Sequence, residues 1–413
     1  MSRMPWRVTA SLALALLFVS GSVRGDAPRF PPLSRAEREF LDRHWRRPLP
    51  PQGVPPERFS PVERSLAPVD CGTCHPIQFE DWRASVHAQS MGPGIAGQLV
   101  EMMRDDPAAA RSCLTCHAPL AEQAVQVPSA GGFAPNPVYD AGLRPQGLVC
   151  AGCHVRGHQR FGPPRRDATS PSATTRTALP HNGFTPASAF LRSEFCASCH
   201  QFAPDGFRVN GKLLENTFEE WRASAAAQRG TQCQDCHMPD RRHLWRGIHD
   251  PEMVKSGVRI DLALERARYR PGEPLRATVT VANTGVGHYF PTYVTPRIVV
   301  RAELIDRNTG EPVPRSVDER AIGRDVPLDL SREIADTRIP PGGRFALRYS
   351  RRLGRAGLSL RVTVTVFPDH FYTGFFEALL AGGAGAGQAQ IQGALEASRR
   401  SSFVIFSRDV PLT

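Results

Sequence analysis

Lysine, aromatic residues and long apolar segments are scarce in this sequence. Only Lys212 and Lys255 are lysines among 51 basic residues, so the formal net charge of +11 comes almost entirely from arginine. These arginines are scattered and not gathered into a basic stripe with aromatics between them, which argues against nucleic-acid binding. No apolar run reaches the roughly 18 residues that a membrane-spanning helix needs, which excludes a multi-pass membrane protein. Charged residues make up only 22% of the chain, unlike a charge-rich disordered protein.

The N-terminus is typical of a secretory signal. Arg3 and Arg7 precede an apolar run over residues 8–19, and small residues follow up to residue 25. We therefore expect residues 1–25 to be a cleavable signal peptide, with Asp26 as a candidate new start. This predicts a mature protein in the periplasm or outside the cell, without a stable membrane span.

Cysteine, in contrast, follows one rule throughout the chain. All ten cysteines form C-x-x-C pairs, and a histidine follows each pair at once. The cysteine pairs are Cys71 and Cys74, Cys113 and Cys116, Cys150 and Cys153, Cys196 and Cys199, and Cys233 and Cys236, followed by His75, His117, His154, His200 and His237. The C-x-x-C-H run is the attachment site of a c-type haem. Cysteines three apart on a helical turn share one face and can bond the two vinyl groups of one porphyrin, and the histidine then lies under the iron. The sequence predicts five covalently attached haems c.

Other uses of cysteine fit this pattern poorly. A structural zinc site takes four ligands, so C-x-x-C pairs should come in twos, whereas this chain has five pairs. Exported proteins form disulfides, but a disulfide framework gives no reason for a histidine after every second cysteine. Haem attachment explains both the odd number of pairs and the histidines.

The spacing of the motifs indicates how the haem region is organised. Residues 26–65 form a Pro- and Arg-rich arm, with a helix expected only near residues 34–45. Over residues 66–255 there is about one motif per forty residues, which leaves little chain for an ordinary hydrophobic core. We expect the porphyrins to form the interior, with short helices and irregular segments around them.

A short internal repeat lies within this region. The phrase Phe-Glu-Asp-Trp-Arg-Ala-Ser at residues 79–85 recurs as Phe-Glu-Glu-Trp-Arg-Ala-Ser at residues 218–224. Both copies are predicted to be helical. The first copy is followed by His87, whereas Ala226 stands at the same place after the second copy.

Beyond residue 255 the cysteines end and the pattern changes to alternating apolar residues. Period-two runs over residues 258–264, 275–281, 298–304 and 358–366 predict strands, and Gly-containing turns separate them. Residues 256–413 are therefore expected to form an immunoglobulin-like β-sandwich with a helical segment at residues 371–380. The fold class predicted for the whole chain is α+β.

Eight histidines outside the motifs could supply the second axial ligand of each iron. The favoured candidates are His87, His158, His181, His243, His249 and His288, whereas His44 and His370 are expected to pack or face solvent. His288 lies in a Gly-rich loop over residues 283–292, which would let backbone approach a flat macrocycle closely. The sequence leaves open which histidine serves which iron.

These features together resemble the cytochrome c-554 family. The matching phrases are Cys71 to His75 followed by Trp-Arg-Ala-Ser-Val-His87, Phe195-Cys-Ala-Ser-Cys-His-Gln-Phe, and Asn216-Thr-Phe-Glu-Glu-Trp leading to Cys233-Gln-Asp-Cys-His-Met-Pro. The loop at residues 283–292 is similar to one in β-domains appended to such cytochromes. The resemblance implies periplasmic electron carriage by mostly bis-histidine haems, with His87 as a distal ligand.

Three functions remain in competition at this level. The first is a non-enzymatic electron carrier that exchanges single electrons with redox partner proteins. The second is a multihaem oxidoreductase acting on a small nitrogen or sulfur compound at one five-coordinate haem; pentahaem nitrite reductases are the comparison, but no motif here has their lysine after the second cysteine. The third is a subunit of a conducting filament, either as a homo-oligomer or with other cytochromes. We expect the first.

Overall fold

The computed structural model describes residues 32–169, 175 and 177–412. The predicted signal peptide at residues 1–25 and the candidate start at Asp26 lie outside the described residues. Within the described part of the chain, none of the helices is both long enough and apolar enough to cross a membrane.

The helices lie mostly, but not all, in the first two thirds of the chain. They span Arg35–His44, Pro61–Arg64, Pro68–Gly72, Pro76–Arg83, Pro93–Asp105, Pro107–His117, Cys150–His154, Glu194–His200, Thr217–Arg222, Ala225–Arg229, Cys233–His237, Pro251–Gly257, His370–Ala381 and Gln388–Arg400. Most are short, and Ser34 caps the first by accepting a hydrogen bond from the Glu37 backbone, so the helix predicted in the N-terminal arm is confirmed.

Strands concentrate at the C-terminal end. The minor ones are β1 Gln126–Ser129, β2 Gly132–Pro135, β3 Val155–Arg156, β4 Gln159–Gly162, β5 Thr185–Pro186, β6 Arg208–Val209 and β7 Lys212–Leu213. The later ones are β8 Val258–Leu264, β9 Pro274–Asn283, β10 Arg297–Asp306, β11 Asp318–Ile322, β12 Arg324–Asp325, β13 Ala335–Asp336, β14 Arg344–Arg352, β15 Leu358–Phe367 and β16 Phe403–Pro411.

Two antiparallel sheets share one hydrophobic core in this C-terminal part. One sheet has the order β14-β9-β8 and the other the order β11-β10-β15-β16. Alternate residues such as Val279, Val300 and Val364 are fully buried between the sheets, because successive side chains of a strand point to opposite faces. The four strands predicted from period-two runs are confirmed as β8, β9, β10 and β15.

The rest of the chain has a different interior. Its apolar clusters are small, one around Trp82 and Leu120 and another around Met91 and Leu99. A mixture of a helical region and a β region bears out the α+β class. The helix Pro251–Gly257 runs directly into β8, and the domain boundary at residue 256 stays a prediction.

Candidate haem sites

The five C-x-x-C-H motifs lie on or beside short helices. Four of these helices end at the motif histidine, namely Pro107–His117, Cys150–His154, Glu194–His200 and Cys233–His237. The first motif differs, because its helix Pro68–Gly72 contains only Cys71, and His75 precedes the next helix. Helical spacing places the two cysteines of a motif on one side, as attachment to a single porphyrin requires.

The motifs are packed against one another through their cysteines. The Cys71 thiol is close enough to Cys150 for each to shift the pKa of the other, and the same holds for Cys116 with Cys199 and for Cys196 with Cys233. None of the ten cysteines is in a disulfide. Macrocycles carried by these motifs would therefore be close neighbours, with the fourth motif in contact with both the second and the fifth.

Three motif histidines each face a histidine from elsewhere in the chain. The ring centroids are 6.3 Å apart for His200 and His87, 6.1 Å for His154 and His243, and 6.3 Å for His237 and His288. A metal–imidazole bond is about 2 Å long, so two imidazoles on opposite sides of one metal have centroids about 6 Å apart. The rings of all three pairs are at the separation that a shared axial metal requires.

Hydrogen bonds to main-chain carbonyls occupy Nδ1 in four of these six rings, whereas His87 Nδ1 is buried without a hydrogen-bond partner. His154 donates Nδ1–H to the Phe161 carbonyl at 2.8 Å and His237 to the Arg246 carbonyl at 2.6 Å. His243 and His288 donate to the carbonyls of Arg241 and Tyr289, at 3.0 and 2.9 Å respectively. A donor bond at Nδ1 selects the tautomer whose Nε2 lone pair can bind a metal.

Burial keeps His87, His200, His243 and His288 in the neutral, metal-binding form. It lowers the pKa of His87 to about 3, helped by nearby His200, His237 and His243. It also lowers the pKa of His200, His243 and His288 to about 4 in each case. Near neutral pH the rings therefore do not carry the proton that would compete with a metal.

The remaining motif histidines, His75 and His117, have different surroundings. Burial and nearby His181 lower the pKa of His75. His181 donates Nδ1–H to the Gly183 carbonyl at 2.8 Å, the same arrangement as in the facing pairs. His117 donates Nδ1–H to the Ser90 carbonyl at 2.7 Å, and among the described residues no histidine ring faces it.

The other two candidates use Nε2 within the protein. His158 is buried and donates Nε2–H to the Gly53 carbonyl at 3.0 Å, and His249 is 3.0 Å from the Asp369 carboxylate. The structure brings neither beside a motif histidine, and their ligand roles stay predictions. His44 packs against Phe40 and Phe161, as expected for a buried histidine without a ligand role.

The Gly-rich loop over residues 283–292 packs closely against the haem region and so places His288 there. A Cβ atom on Gly287 would lie 3.1 Å from the Ala226 Cβ and 3.3 Å from Trp221 Cδ1. Ala226 is the residue that stands where the first repeat copy has His87. The small side chains on both sides let the loop of the β region reach the haem region there.

Three functional candidates were not identified from sequence. The Tyr293 hydroxyl lies 2.8 Å from His200 Nδ1 and also hydrogen-bonds Glu215. Asp81 and Glu220 accept hydrogen bonds from the segments that carry His243 and His288. Asp81 and Glu220 occupy equivalent positions in the internal repeat. That equivalence was the one feature of the sequence that could have pointed to them.

The described residues contain no cluster of three or more His, Cys, Asp or Glu side chains suited to a metal ion. The imidazoles instead face each other in twos across a gap. A flat macrocycle that supplies four equatorial nitrogens fits such an arrangement, because the protein then needs to provide only two axial ligands.

Comparisons with known proteins bear on the family and on the fold. The family model described as "Cytochrome c554 and c-prime" matches residues 70–132. A penta-heme cytochrome c552 from Thermochromatium tepidum has a similar fold, with a TM-score of 0.58, 18% identity, and coverage of 85% of this chain and 100% of that one. A sporulation control protein from Bacillus subtilis has a TM-score of only 0.13 at 15% identity, covering 27% of this chain and 43% of that one. No curated protein matches the chain.

Three observations together indicate the class of this protein. They are the repeated C-x-x-C-H motif, the facing imidazoles and the family match over residues 70–132. The chain is a multihaem c-type cytochrome. Within that class it resembles the cytochrome c554 family, and the class supports electron transfer as its general role.

Proposed function

We propose that this protein is an extracytoplasmic electron carrier that passes single electrons through five covalently bound haems c. The three facing imidazole pairs carry this proposal. In it, His200 and His87, His154 and His243, and His237 and His288 are the axial ligands of three low-spin irons. Two imidazoles saturate an iron and leave it suited to electron transfer without substrate binding.

A fourth iron takes His75 and His181. The two residues are close enough for His181 to lower the pKa of His75, and the Nδ1 bond of His181 leaves its Nε2 for the metal. The fifth iron takes His117 as its proximal ligand. The ten motif cysteines form the thioether bonds.

The packing of the motifs supports transfer between haems. Thiol contacts between motifs bring their porphyrins together, and Cys153 is near enough to raise the pKa of Cys196, which links the third and fourth motifs. Trp245 lies between two distal ligands, with ring centroids 4.6 Å from His87 and 5.1 Å from His243. Short separations of this kind are what electron hopping needs.

The β region serves this function by contributing a ligand. Its strand order supports the immunoglobulin-like interpretation, since β8, β9 and β14 form one sheet and β10, β11, β15 and β16 the other. The loop between β9 and β10 carries His288. The β region thereby closes one haem site as well as packing beside it.

Location and partners follow from the class. Multihaem c-type cytochromes are typically exported, and the N-terminal sequence has the features of a signal peptide. Donor and acceptor proteins are the partners that an electron carrier needs. Assembly with other cytochromes stays a prediction.

Intact mass and spectroscopy of the exported protein test the proposal. We expect the mass of the mature chain plus five porphyrins and low-spin ferric haem in the EPR spectrum. His288→Ala should convert one iron to high spin without changing the haem count. His370→Ala, at an exposed histidine of the same region, is the control and should leave the spectrum unchanged.

Two outcomes would count against the carrier function. A mass lacking five porphyrin increments would remove the cofactor assignment. A substantial high-spin signal in the unmodified protein, together with binding of nitric oxide or cyanide, would favour the oxidoreductase alternative. The iron at His117 is the first to examine.

A further inference from the structure

The two tryptophans of the internal repeat make the same contact with two different haem motifs. The Trp82 indole donates to the Leu148 carbonyl at 2.8 Å, and the Trp221 indole donates to the Thr231 carbonyl at 2.9 Å. Each acceptor lies two residues before the first cysteine of a motif, Cys150 in one case and Cys233 in the other. Each tryptophan therefore anchors the start of a predicted haem-binding helix.

The acid before each tryptophan makes a second matching contact. Asp81 accepts a hydrogen bond from the His243 backbone N–H at 2.9 Å and two from the Arg242 guanidinium, at 2.6 and 2.7 Å. The side chain of Asp81 is 5% exposed. Its carboxylate thus holds the backbone of a candidate distal ligand directly.

Glu220 holds the corresponding segment of the second site. It accepts from the Tyr289 backbone N–H at 3.1 Å, directly after His288, and from the Thr292 hydroxyl at 2.7 Å. The Arg338 guanidinium bonds its other oxygen at 3.1 Å, in a pair whose side chains are both 6% exposed. An arginine and a backbone N–H beside the distal histidine thus converge on the acid in both copies.

In each copy of the internal repeat, the tryptophan and the acid contact the two segments that carry the histidines of one imidazole pair. Trp82 anchors the motif of His154, whose ring faces His243, the residue held by Asp81. Trp221 anchors the motif of His237, whose ring faces His288. We propose that each repeat copy is a clamp that fixes the separation of the proximal and distal ligands of one haem, with Asp81 and Glu220 as positioning residues. This rests on the proposed axial pairs.

Adjacent acids of the repeat provide a contrast. Among the described residues, Glu80 and Glu219 form ion pairs with the arginines of their own helices, Arg83 and Arg222, and with no residue of a ligand segment. They have the same charge and helix as the clamp acids. Replacing them changes local helix electrostatics but leaves the clamp intact.

The test replaces one acid of each kind in the exported holoprotein. Asp81→Ala should leave five porphyrins by intact mass but convert one iron partly to high spin, and cyanide affinity at that iron should rise by about tenfold. Glu220→Ala should do the same at a second iron, and Asp81→Asn should show a smaller effect because the amide oxygen can still accept from His243. Glu80→Ala and Glu219→Ala should match the unmodified protein.

His243→Ala and His288→Ala separate the clamp from the axial assignment. If neither opens an iron, the proposed axial pairs are wrong. If they do, while Asp81→Ala and Glu220→Ala stay low spin with unchanged cyanide binding, the clamp is overturned. Equal changes in spin state and cyanide affinity for Glu80→Ala and Asp81→Ala would also overturn the clamp. Such a result would mean that the loss of negative charge from the helix, and not the contact with His243, causes the change. If Asp81→Ala does not fold, the comparison between Asp81→Asn and Glu80→Ala decides.

Discussion

Most of the paired histidines are oriented by main-chain carbonyls, but His200 depends on a side chain. Its Nδ1 lies 2.8 Å from the Tyr293 hydroxyl, which in turn hydrogen-bonds the Glu215 carboxyl. Burial raises the pKa of Glu215 to about 7, although Thr217 lowers it by hydrogen bonding. An acceptor at Nδ1 makes an imidazole a stronger electron donor and so stabilises the ferric state.

We therefore expect Tyr293→Phe to raise the midpoint potential of one haem. The phenyl ring cannot accept the Nδ1–H of His200, so the shift should be on the order of tens of millivolts. Spectroelectrochemical titration measures it. Tyr349→Phe is the control, because that buried hydroxyl bonds the Ser316 carbonyl in the β core, and its titration should match the unmodified protein. Equal potentials in the two variants would remove the tuning role of Tyr293.

At the scale of elements, the loop over residues 283–292 connects the two halves of the molecule. Asn283 braces it by donating to the His288 and Ile339 carbonyls, at 3.0 and 3.1 Å. Gly287 then packs against Ala226 and Trp221 with no room for a larger side chain. The position of His288 thus depends on a small residue on each side of the contact.

Gly287→Val should displace this loop. Its methyl groups would overlap Ala226 and Trp221, and overpacking of this kind costs about 1–3 kcal/mol or moves the backbone. We expect the iron at His237 to become partly high spin, with haem content unchanged. Gly354→Val is the matched control, because a Cβ at Gly354 meets no atom within 4 Å. A fully low-spin spectrum for Gly287→Val would show that the approach of the loop does not set the ligand.

At the scale of the whole molecule, buried ions join the β region to the haem region. Arg324 is 3% exposed and donates to the Val209 and Leu213 carbonyls of the hairpin β6-β7, at 2.7 and 3.0 Å. It also pairs with Glu333 at 2.8 Å. Removing one partner of a buried pair is costly because the other charge stays buried without compensation.

Arg324→Met should lower the free energy of unfolding by about 3 kcal/mol. The loss combines the removal of one of the two cations paired with Glu333, which keeps Lys212 at 2.9 Å, with the loss of the donor to the Val209 and Leu213 carbonyls. Thermal or denaturant unfolding followed by far-UV circular dichroism measures it. Arg348→Met on the exposed face of β14 should change stability by less than about 0.5 kcal/mol. Similar losses for the two variants would show that Arg324 does not stabilise the junction.

Several elements were predictable because their signals are local. The helix at Arg35–His44 follows from a capping serine, and β8 follows from strict alternation over Val258–Leu264. The strands β11, β14 and β16 were not predicted, although β14 itself alternates between exposed and more buried residues over Arg344–Arg352. Which strands share a sheet could not be predicted from single strands, because it depends on pairing between segments that are distant in the sequence.

The haem motifs and the family resemblance could be predicted from sequence alone, because thioether attachment depends on residues within one helical turn. The pairing of His87 with His200 and of His237 with His288 was decided only by the tertiary structure, since an axial partner is chosen by distance in space. The positioning contacts of Asp81 and Glu220 became visible for the same reason. Their role depends on which backbone N–H lies opposite each carboxylate, and only the folded chain brings those groups together.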